Sequence, residues 1–195
     1  ASTVLGSANS MWSQILAQTG QSYTEPKLVL FRAATESGCG GATSEVGPHY
    51  CPLDNTVYLD ETFFDELTSR FGAQGGDVAE AYVIAHEVGH HAQNELGIMD
   101  SIRNDQSNES SIKLELQADC FAGLWAHSIR DQQVFEPGEI QEAMDAAAAV
   151  GDDRIQERVT GQISSETWTH GSSADRLVWF TKGYESGLRS ACNTF

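Results

Sequence analysis

The side chains best suited to chemistry lie in residues 85–93, which contain the pattern His-Glu-x-x-His. His86 and His90 are four positions apart, and residues at that spacing lie on the same face of an α-helix. Two imidazoles placed in this way can fill two corners of a zinc tetrahedron. Glu87 is rotated away from that face, where it can take a proton from a metal-bound water. The pattern therefore predicts one catalytic Zn²⁺ ion with Glu87 as the general base, against the alternative of an ordinary polar surface helix.

A catalytic zinc ion commonly takes three protein ligands, so a third ligand must come from elsewhere in the chain. Glu115 and Asp119 are again four positions apart, in a segment otherwise rich in Leu, Ala and Phe. Carboxylates that face an apolar interior are costly to bury unless they are paired or bind a metal. We expect Glu115 to be the third ligand. Asp119 would then accept the ring N–H of His86 or His90 and fix the orientation of that ligand. The alternative is a pair of solvent-facing acids on an amphipathic helix.

Hydrolysis of an amide at such a site also needs a hydrogen-bond donor for the oxyanion of the tetrahedral intermediate. His170, which lies just before a predicted helix, is our candidate, and Arg176 or Tyr82 could serve instead. The alternative for His170 is a structural role in the turn that leads into the helix. We expect His91 to lie at the surface or to support a ligand, and His127 to serve packing or to lie at the surface.

The four cysteines predict two disulfide bonds. Cys39 and Cys51 bracket a stretch that contains glycine and proline, which is typical of a loop closed by a disulfide. A Cys-His metal site is the alternative for this pair, although its spacing is not that of a zinc ribbon. Cys120 and Cys192 would then form a second disulfide between the middle and the end of the chain. Two disulfides indicate an oxidising compartment, so we expect an extracytoplasmic protein, either secreted or the outer part of a membrane-anchored one.

Length and charge limit the classes of protein to which the chain can belong. Its 195 residues suffice for a single catalytic domain, with an N-terminal lobe of about 1–97 and a helical C-terminal lobe of about 98–195. The net charge of −17 excludes nucleic-acid binding, since such binding needs a basic surface. No apolar run approaches the roughly 18 residues of a membrane span. The chain begins at Ala1, so we expect a mature or trimmed form whose signal or anchor lay upstream.

Hydrophobic patterns predict an α+β fold that is mostly helical, with a small β-sheet beside the His-Glu-x-x-His helix. Asp77 and Glu80 form a capping box at the head of that helix. Gly89 inside it lowers the helix propensity by about 1 kcal/mol, which indicates the close approach of another backbone. A buried strand is predicted at residues 27–31, and a strand at residues 55–60 could form the cleft edge along which a peptide lies. Helices are predicted at residues 8–20, 62–71, 77–96, 111–131, 136–149 and 152–159 and after Ser172.

Five short motifs occur together in this chain: His-Glu-Val-Gly-His-His at 86–91, Glu-Leu-Gln-Ala-Asp-Cys at 115–120, Gly-Pro-x-Tyr-Cys-Pro at 47–52, Val-Tyr-Leu-Asp at 57–60 and His-Gly-Ser-Ser at 170–173. In these motifs the sequence resembles a bacterial family of neutral zinc metallopeptidases, from about residue 10 to the C-terminus. The resemblance implies a zincin-like fold of the gluzincin kind, in which a glutamate is the third zinc ligand. Family members often carry an N-terminal membrane anchor. His49 departs from the family pattern, in which we expect an aromatic residue, and leaves the role of its loop open.

The resemblance and the predicted site together indicate a zinc-dependent metallopeptidase, an endopeptidase that cleaves peptides or proteins. Glu87 would activate the zinc-bound water and then pass the proton to the leaving amine. One alternative is a zinc-stabilised binding module without activity, although a structural site is closed by four ligands and needs no general base. Another is hydrolysis of a non-peptide amide, such as a cell-wall crosslink. The oligomeric state stays open.

Overall fold

The computed structural model describes residues 1–43, 47–63, 65, 69, 77–132 and 138–195, without the side chain of residue 158. The described chain is 61% helical with a small mixed sheet, so the predicted α+β class is confirmed. Its strands are β1 (Lys27–Phe31), β2 (Ala34–Ser37), β3 (Gly40–Thr43), β4 (His49–Cys51) and β5 (Thr56–Asp60). Its helices are α1 (Ser2–Ala17), α2 (Asp77–Glu95), α3 (Ile98–Ser101), α4 (Asn108–Ile129), α5 (Glu139–Ala149), α6 (Asp152–Thr160) and α7 (Ser173–Ser186), with 3-10 turns at Arg130–Gln132, Ser165–Thr167 and Arg189–Cys192.

A three-stranded sheet with the order β1-β5-β4 packs against α2, and β2 and β3 form a separate antiparallel hairpin. β1 runs parallel to β5, with Val29 opposite Tyr58, and β4 runs antiparallel to β5, with Tyr50 opposite Val57. β5 is therefore paired with β1 along its whole length and with β4 at residues 56–58, and all five of its residues are buried. The prediction that Val57 to Asp60 form the cleft edge for a peptide is wrong at Val57 and Tyr58, because strands pair with β5 on both sides there.

α2 is the central helix and is buried on most of its surface. The sheet, α1, α4 and α5 all pack against it. Polar side chains such as His91 and Gln93 are therefore enclosed together with the apolar ones, and they must find partners inside the protein. The predicted apolar face is buried throughout, at Val78, Ala81, Tyr82, Ala85 and Val88.

The helices that pack on α2 and on α4 approach closely at glycines. An added Cβ at Gly89 of α2 would come 3.1 Å from the carbonyl oxygen of Ala118 and 3.3 Å from Cβ of Phe121 on α4. The predicted close approach at Gly89 is therefore present. α4 and α7 cross more closely still, because Gly123 faces the backbone of α7 and Gly183 faces the backbone of α4. These contacts set the spacing of α2, α4 and α7.

Several elements differ from their predicted extents for local reasons. α1 begins at Ser2 rather than at residue 8, since Val4 and Leu5 pack against the core and outweigh the weak helix propensity of Gly6. β1 is less buried than predicted, with Leu30 48% exposed, because it lies at the edge of the sheet. Most of the helix predicted at 62–71, and the start of the one predicted at 136–149, lie outside the described residues.

α4 also begins earlier than predicted, at Asn108. The hydroxyl of Ser107 accepts a hydrogen bond from the backbone N–H of Ser110 and caps the helix there. Among the helices that the structure describes, none has both the length and the apolar character needed to cross a membrane.

Both predicted disulfide bonds are present. Cys39–Cys51 joins the β2–β3 turn to β4, and Cys120–Cys192 joins α4 to the C-terminal 3-10 turn. The Cys-His metal site considered for Cys39 and Cys51 is therefore excluded, because both sulfurs are bonded to each other.

Candidate metal centre

α2 and α4 bring three side chains that can bind a metal into one cluster. His86 and His90 lie about one turn apart on α2, and Glu115 faces them from α4. Nε2 of His86 lies 3.1 Å from Nε2 of His90. Each of these nitrogens lies 3.3 Å from one oxygen of the Glu115 carboxylate. Within the described parts of the chain, this is the group of His, Cys, Asp and Glu side chains that could hold a metal ion.

Both histidines are held through Nδ1, so that Nε2 points into the cluster. Nδ1 of His86 donates to Oδ1 of Asp119 at 2.9 Å, and Nδ1 of His90 donates to Oε1 of Gln93 at 2.9 Å. In its neutral form each imidazole carries a single N–H, here at Nδ1, which leaves the lone pair of Nε2 to bind a metal. A zinc ligand requires such a lone pair, and the partner of the other ring nitrogen selects it. Of the two histidines considered for Asp119, the structure pairs it with His86.

The separations within the cluster match a tetrahedral zinc site. Ligand atoms about 2.0 Å from an ion at tetrahedral angles lie about 3.3 Å from one another. The two Nε2 atoms lie 3.1 Å apart, and the Glu115 carboxylate faces both of them, with Oε2 3.3 Å from His86 and Oε1 3.3 Å from His90. Two lone pairs and a carboxylate at these distances repel one another unless positive charge lies among them. The three side chains therefore fit a zinc ion in both geometry and ligand type.

The electrostatics of the cluster also favour a cation. Burial lowers the pKa of the His86 imidazole, but the carboxylates of Asp119 and Glu115 more than offset this effect and raise the pKa to about 10. Burial raises the pKa of the Glu115 carboxyl, but the two histidines hold it well below its usual range. A metal ion that enters such a site must displace protons, so metal binding weakens as the pH falls.

Asp119 is wholly buried and accepts hydrogen bonds from three side chains. Besides His86, these are the hydroxyl of Tyr82 at 2.5 Å and Nε and Nη2 of Arg176 at 2.7 and 3.0 Å. Burial raises the pKa of the Asp119 carboxyl, but the Arg176 guanidinium dominates and holds it below its usual value. The Tyr82 hydroxyl and the Arg176 guanidinium thus both bind the carboxylate that holds Nδ1 of His86. Nη2 of Arg176 also lies 3.8 Å from Oε2 of Glu115, so the guanidinium reaches the metal-binding cluster as well. Both residues are engaged in these contacts, and neither is our first candidate for the oxyanion donor.

Glu87 is buried on α2 next to His86, and it does not belong to the three-residue cluster. Burial lowers the pKa of the His90 imidazole, but the charge of Glu115 and, to a smaller degree, that of Glu87 raise it overall. The Glu87 carboxylate therefore acts on the ligands from nearby. In the part of the chain that the structure describes, no hydrogen bond or ion pair holds this carboxylate, so both of its oxygens can accept a proton.

His170 lies in the loop before α7, and its side chain is 50% exposed. Asp152, the first residue of α6, holds this loop: its Oδ2 accepts the backbone N–H groups of Thr169, His170 and Gly171 at 2.8, 2.7 and 3.0 Å. Its Oδ1 lies 3.2 Å from Nδ1 of His170. This bond raises the pKa of the His170 imidazole, burial opposes the rise, and the charge of Glu115 adds to it. His170 is thus oriented by Asp152 and lies within the field of a predicted ligand.

Two other histidines have structural roles. His91 is wholly buried, its Nε2 donates to the carbonyl of Thr24 at 2.7 Å, and its Nδ1 lies 3.1 Å from the hydroxyl of Tyr50. The prediction that His91 lies at the surface or supports a ligand is wrong, because position 91 is turned away from the ligand face and points at the sheet. His127 is partly buried and lies 2.6 Å from the carbonyl oxygen of Tyr184, in keeping with the predicted packing role.

His49, the departure from the family pattern, lies on β4 beside the central strand. Its ring stacks on that of Tyr58, with centroids 5.1 Å apart and an interplanar angle of 11°. The imidazole therefore takes the stacking position that an aromatic residue would fill.

Sequence reasoning missed two residues that orient the predicted ones. Gln93 binds His90, and its position three residues later is a helical spacing that could have revealed it. Asp152 binds His170 from a different helix, 18 residues earlier in the chain. No periodic pattern joins two such positions, so only the folded structure identifies Asp152.

Comparisons with known proteins identify the family of this chain. A sequence model of the family described as "Putative neutral zinc metallopeptidase" matches residues 1–195. The chain is 46% identical over 201 residues to "Uncharacterized protein YpfJ" of Escherichia coli K12, a match that covers 100% of this chain and 70% of that protein. It is 45% identical over 201 residues to "Uncharacterized protein Rv2575" of Mycobacterium tuberculosis H37Rv, covering 97% of this chain and 67% of that protein. No solved structure matches the chain significantly. Because the family match spans the chain from end to end, the protein belongs to the neutral zinc metallopeptidase family.

Proposed function

We propose that this family member is a zinc-dependent endopeptidase in which His86, His90 and Glu115 bind one catalytic zinc ion. The proposal rests on the convergence of their donor atoms at separations of 3.1 to 3.3 Å. A structural zinc site is closed by four protein ligands, whereas a catalytic site keeps one position open. The cluster contains three such residues in the described part of the chain, which favours catalysis over a zinc-stabilised binding module.

Zinc bound at this site would polarise the substrate carbonyl and lower the pKa of water to about 7. In our proposal, Glu87 accepts the proton of the attacking water and then gives it to the leaving amine. Its burial beside the cluster, with no bonding partner among the described residues, leaves the carboxylate available for both transfers. Asp119 and Gln93 keep the two ligand imidazoles in orientation during these steps.

We further propose that His170 donates a hydrogen bond to the oxyanion. Asp152 occupies Nδ1 of His170, so Nε2 is the ring atom left to face a substrate. The bond to Asp152 raises the pKa of His170, which keeps the imidazolium form to higher pH. A cationic donor forms stronger hydrogen bonds to a developing negative charge than a neutral one. The half-exposed side chain can also reach a bound substrate.

The substrate we propose is a peptide or protein outside the cytoplasm. Two disulfides favour an oxidising compartment. The net charge of −17 gives the molecule a negative field that favours basic over acidic peptides. We also propose that residues 1–195 form one catalytic domain, because α2 from the first predicted lobe and α4 from the second both supply ligands.

A peptide-library screen with zinc-loaded protein tests this proposal. We expect cleavage at internal peptide bonds, detected by mass spectrometry, and none with Glu115→Ala, which lacks one ligand. Equal cleavage by Glu115→Ala would rule out the assigned site. If the zinc-loaded wild type cleaves no peptide, we would interpret the protein as a zinc-stabilised binding module instead of a peptidase. Release of an amine from a cell-wall crosslink without peptide cleavage would instead point to a non-peptide amide.

A further inference from the structure

Gln93 connects the ligand His90 to the interior of α4. Its amide is wholly buried, and its Oε1 accepts the N–H of His90 Nδ1 at 2.9 Å. Its Nε2 donates to the carbonyl of Leu114 at 2.8 Å and to Oε1 of Gln117 at 3.0 Å. All these groups are paired, as groups removed from water must be.

Gln117 continues the connection to the end of the chain. It is buried on α4, and its Nε2 donates to the main-chain carbonyl of Cys192 at 2.9 Å. Cys192 is itself bonded to Cys120, the residue that follows Asp119 on α4. A row of hydrogen bonds therefore runs from the C-terminal disulfide to the ligand His90.

The row has one direction, which two main-chain carbonyls set. A carbonyl can only accept, so that of Cys192 requires the NH₂ group of Gln117 and turns the oxygen of Gln117 toward Gln93. That oxygen and the carbonyl of Leu114 both require the NH₂ group of Gln93, which leaves the oxygen of Gln93 facing His90. Nδ1 of His90 must then carry the proton, and Nε2 presents its lone pair to the metal site. Reversal of either amide would place like groups against each other.

We propose that Gln93 and Gln117 are positioning residues that carry the polarity of the Leu114 and Cys192 carbonyls to His90, so that the Cys120–Cys192 disulfide, which holds the second of these carbonyls in place, tunes metal affinity. The inference rests on the zinc site of the proposed function but not on peptide cleavage. Cys120 and Cys192 are 0% and 1% exposed, so reductants cannot reach the disulfide, and it is a structural bond rather than a redox-sensitive switch.

Zinc affinity, measured by competition with a chromogenic chelator, tests the inference. Loss of hydrogen bonds to metal-bound histidines typically lowers metal affinity about 10- to 100-fold. We expect a fall in this range for Gln93→Leu and about a tenfold fall for Cys120→Ala with Cys192→Ala. The matched control is Cys39→Ala with Cys51→Ala, which removes the disulfide that does not lead to a ligand and should bind zinc as the wild type does.

A second readout separates positioning from general loss of stability. In zinc-loaded protein, the ring N–H of His90 should exchange with solvent faster in the Cys120–Cys192 variant, as seen by NMR. The ring N–H of His86 should not change, because Asp119 holds it independently. Equal acceleration at both rings would indicate a merely structural effect and overturn the inference.

Gln117→Glu tests the same row with both disulfides intact. It places a carboxylate oxygen against the Cys192 carbonyl, and because two acceptors repel, the side chain must turn out of the row and leave Gln93 without this partner. We therefore expect weaker zinc binding in this variant too. If the Cys120→Ala, Cys192→Ala variant does not fold, the zinc affinity of Gln117→Glu tests the inference by itself. Zinc affinity within twofold of the wild type in Gln117→Glu would overturn the inference. Failure of the proposed peptidase function is distinguishable from failure of this inference. A wild-type protein that binds zinc but cleaves no peptide would refute the peptidase, while the zinc affinities of the variants could still be compared.

Discussion

At the scale of single residues, the two histidines that we propose as zinc ligands are oriented by acceptors of different charge. His86 bonds to the Asp119 carboxylate, whose charge is balanced by Arg176, whereas His90 bonds to the neutral amide of Gln93. A carboxylate partner raises the basicity of an imidazole ligand. His86 is therefore the stronger donor of the pair, and His90 depends on the direction in which an amide points.

The pKa of His170 is a test of its proposed role. Its hydrogen bond to Asp152 raises the pKa above the ordinary value of 6.5, so the cation persists as the pH rises past that value. Activity that needs this cation is lost as the pH rises through the raised pKa, which limits the alkaline side of the kcat/KM profile. Asp152→Asn should lower the pKa of His170, measured by NMR titration, and move the alkaline loss of kcat/KM to lower pH.

Asp153→Asn is the matched control, because Asp153 binds the N–H and hydroxyl of Ser173 instead of His170. It should leave the pKa of His170 and the alkaline limb where they are in the wild type. An unchanged His170 pKa in Asp152→Asn would refute the orientation by Asp152. A lowered pKa with an unchanged alkaline limb would remove His170 as the oxyanion donor.

The candidate metal ligands could be predicted from the sequence, because ionisable residues recur at helical spacing there. The helical spacing of His86 and His90, and of the acids Glu115 and Asp119 in an apolar segment, is sufficient to locate the cluster. Gln93 shares such a spacing with His90, but Gln117 could not be found in this way, because the sequence around a glutamine does not indicate whether its amide will be buried. The partners of Gln117 are fixed only when α2, α4 and the C-terminal turn pack together.

At the scale of the elements, three helices meet at the site. α2 supplies the histidines and Glu87, α4 supplies Glu115 and Asp119, and α7 supplies Arg176. Glycines at both helix contacts let the backbones approach. Side chains from one helix therefore reach those of the next because glycines at the contacts keep the helices close together.

Gly183→Ala should destabilise the protein and loosen its site. The new Cβ would overlap the carbonyl oxygen of Cys120 and lie 2.9 Å from the backbone nitrogen of Leu124. Backbone atoms cannot turn aside as a side chain can, so α7 must move away from α4. We expect a loss of about 3 kcal/mol in the free energy of unfolding, measured by urea denaturation.

Gly6→Ala is the control, since it also places alanine inside a helix but has no heavy atom within 4 Å of the added Cβ. It should stabilise the protein by up to about 1 kcal/mol through helix propensity. Equal effects of the two substitutions would refute the close crossing of α4 and α7.

The helices were easier to predict than the order of the strands. The apolar face of α2 follows from its sequence period, and the structure buries it as expected. The central position of β5 depends on pairing between Lys27–Phe31 and Thr56–Asp60, which lie far apart in the chain. An apolar strand has the same sequence at the centre of a sheet and at a covered edge, so the assignment to a cleft edge failed.

At the scale of the whole molecule, the two disulfides constrain chain segments of very different length. Cys39 and Cys51 are 12 residues apart, whereas Cys120 and Cys192 are 72 apart. The longer link restricts the unfolded chain more, and it also holds the C-terminal turn against α4. The end of the chain is thereby part of the structure around the metal ligands.

Removal of each disulfide should reflect this difference. The chain-entropy model gives a loss of about 3 kcal/mol for the Cys39–Cys51 pair and about 4 kcal/mol for the Cys120–Cys192 pair. Urea denaturation of the two double-alanine variants, without zinc, measures both losses. A larger loss for the shorter loop would contradict the expected ranking.

We propose that Glu87 activates water at a zinc ion held by His86, His90 and Glu115. Glu87→Gln keeps the size of the side chain and removes the carboxylate that takes the proton. Zinc content and peptide cleavage, determined on the same sample, test this role. We expect one zinc ion per chain, as in the wild type, and a kcat lower by a factor of about 10² to 10⁴. A zinc-loaded Glu87→Gln protein that cleaves peptides at the wild-type rate, or one that has lost its zinc, would refute the role of Glu87.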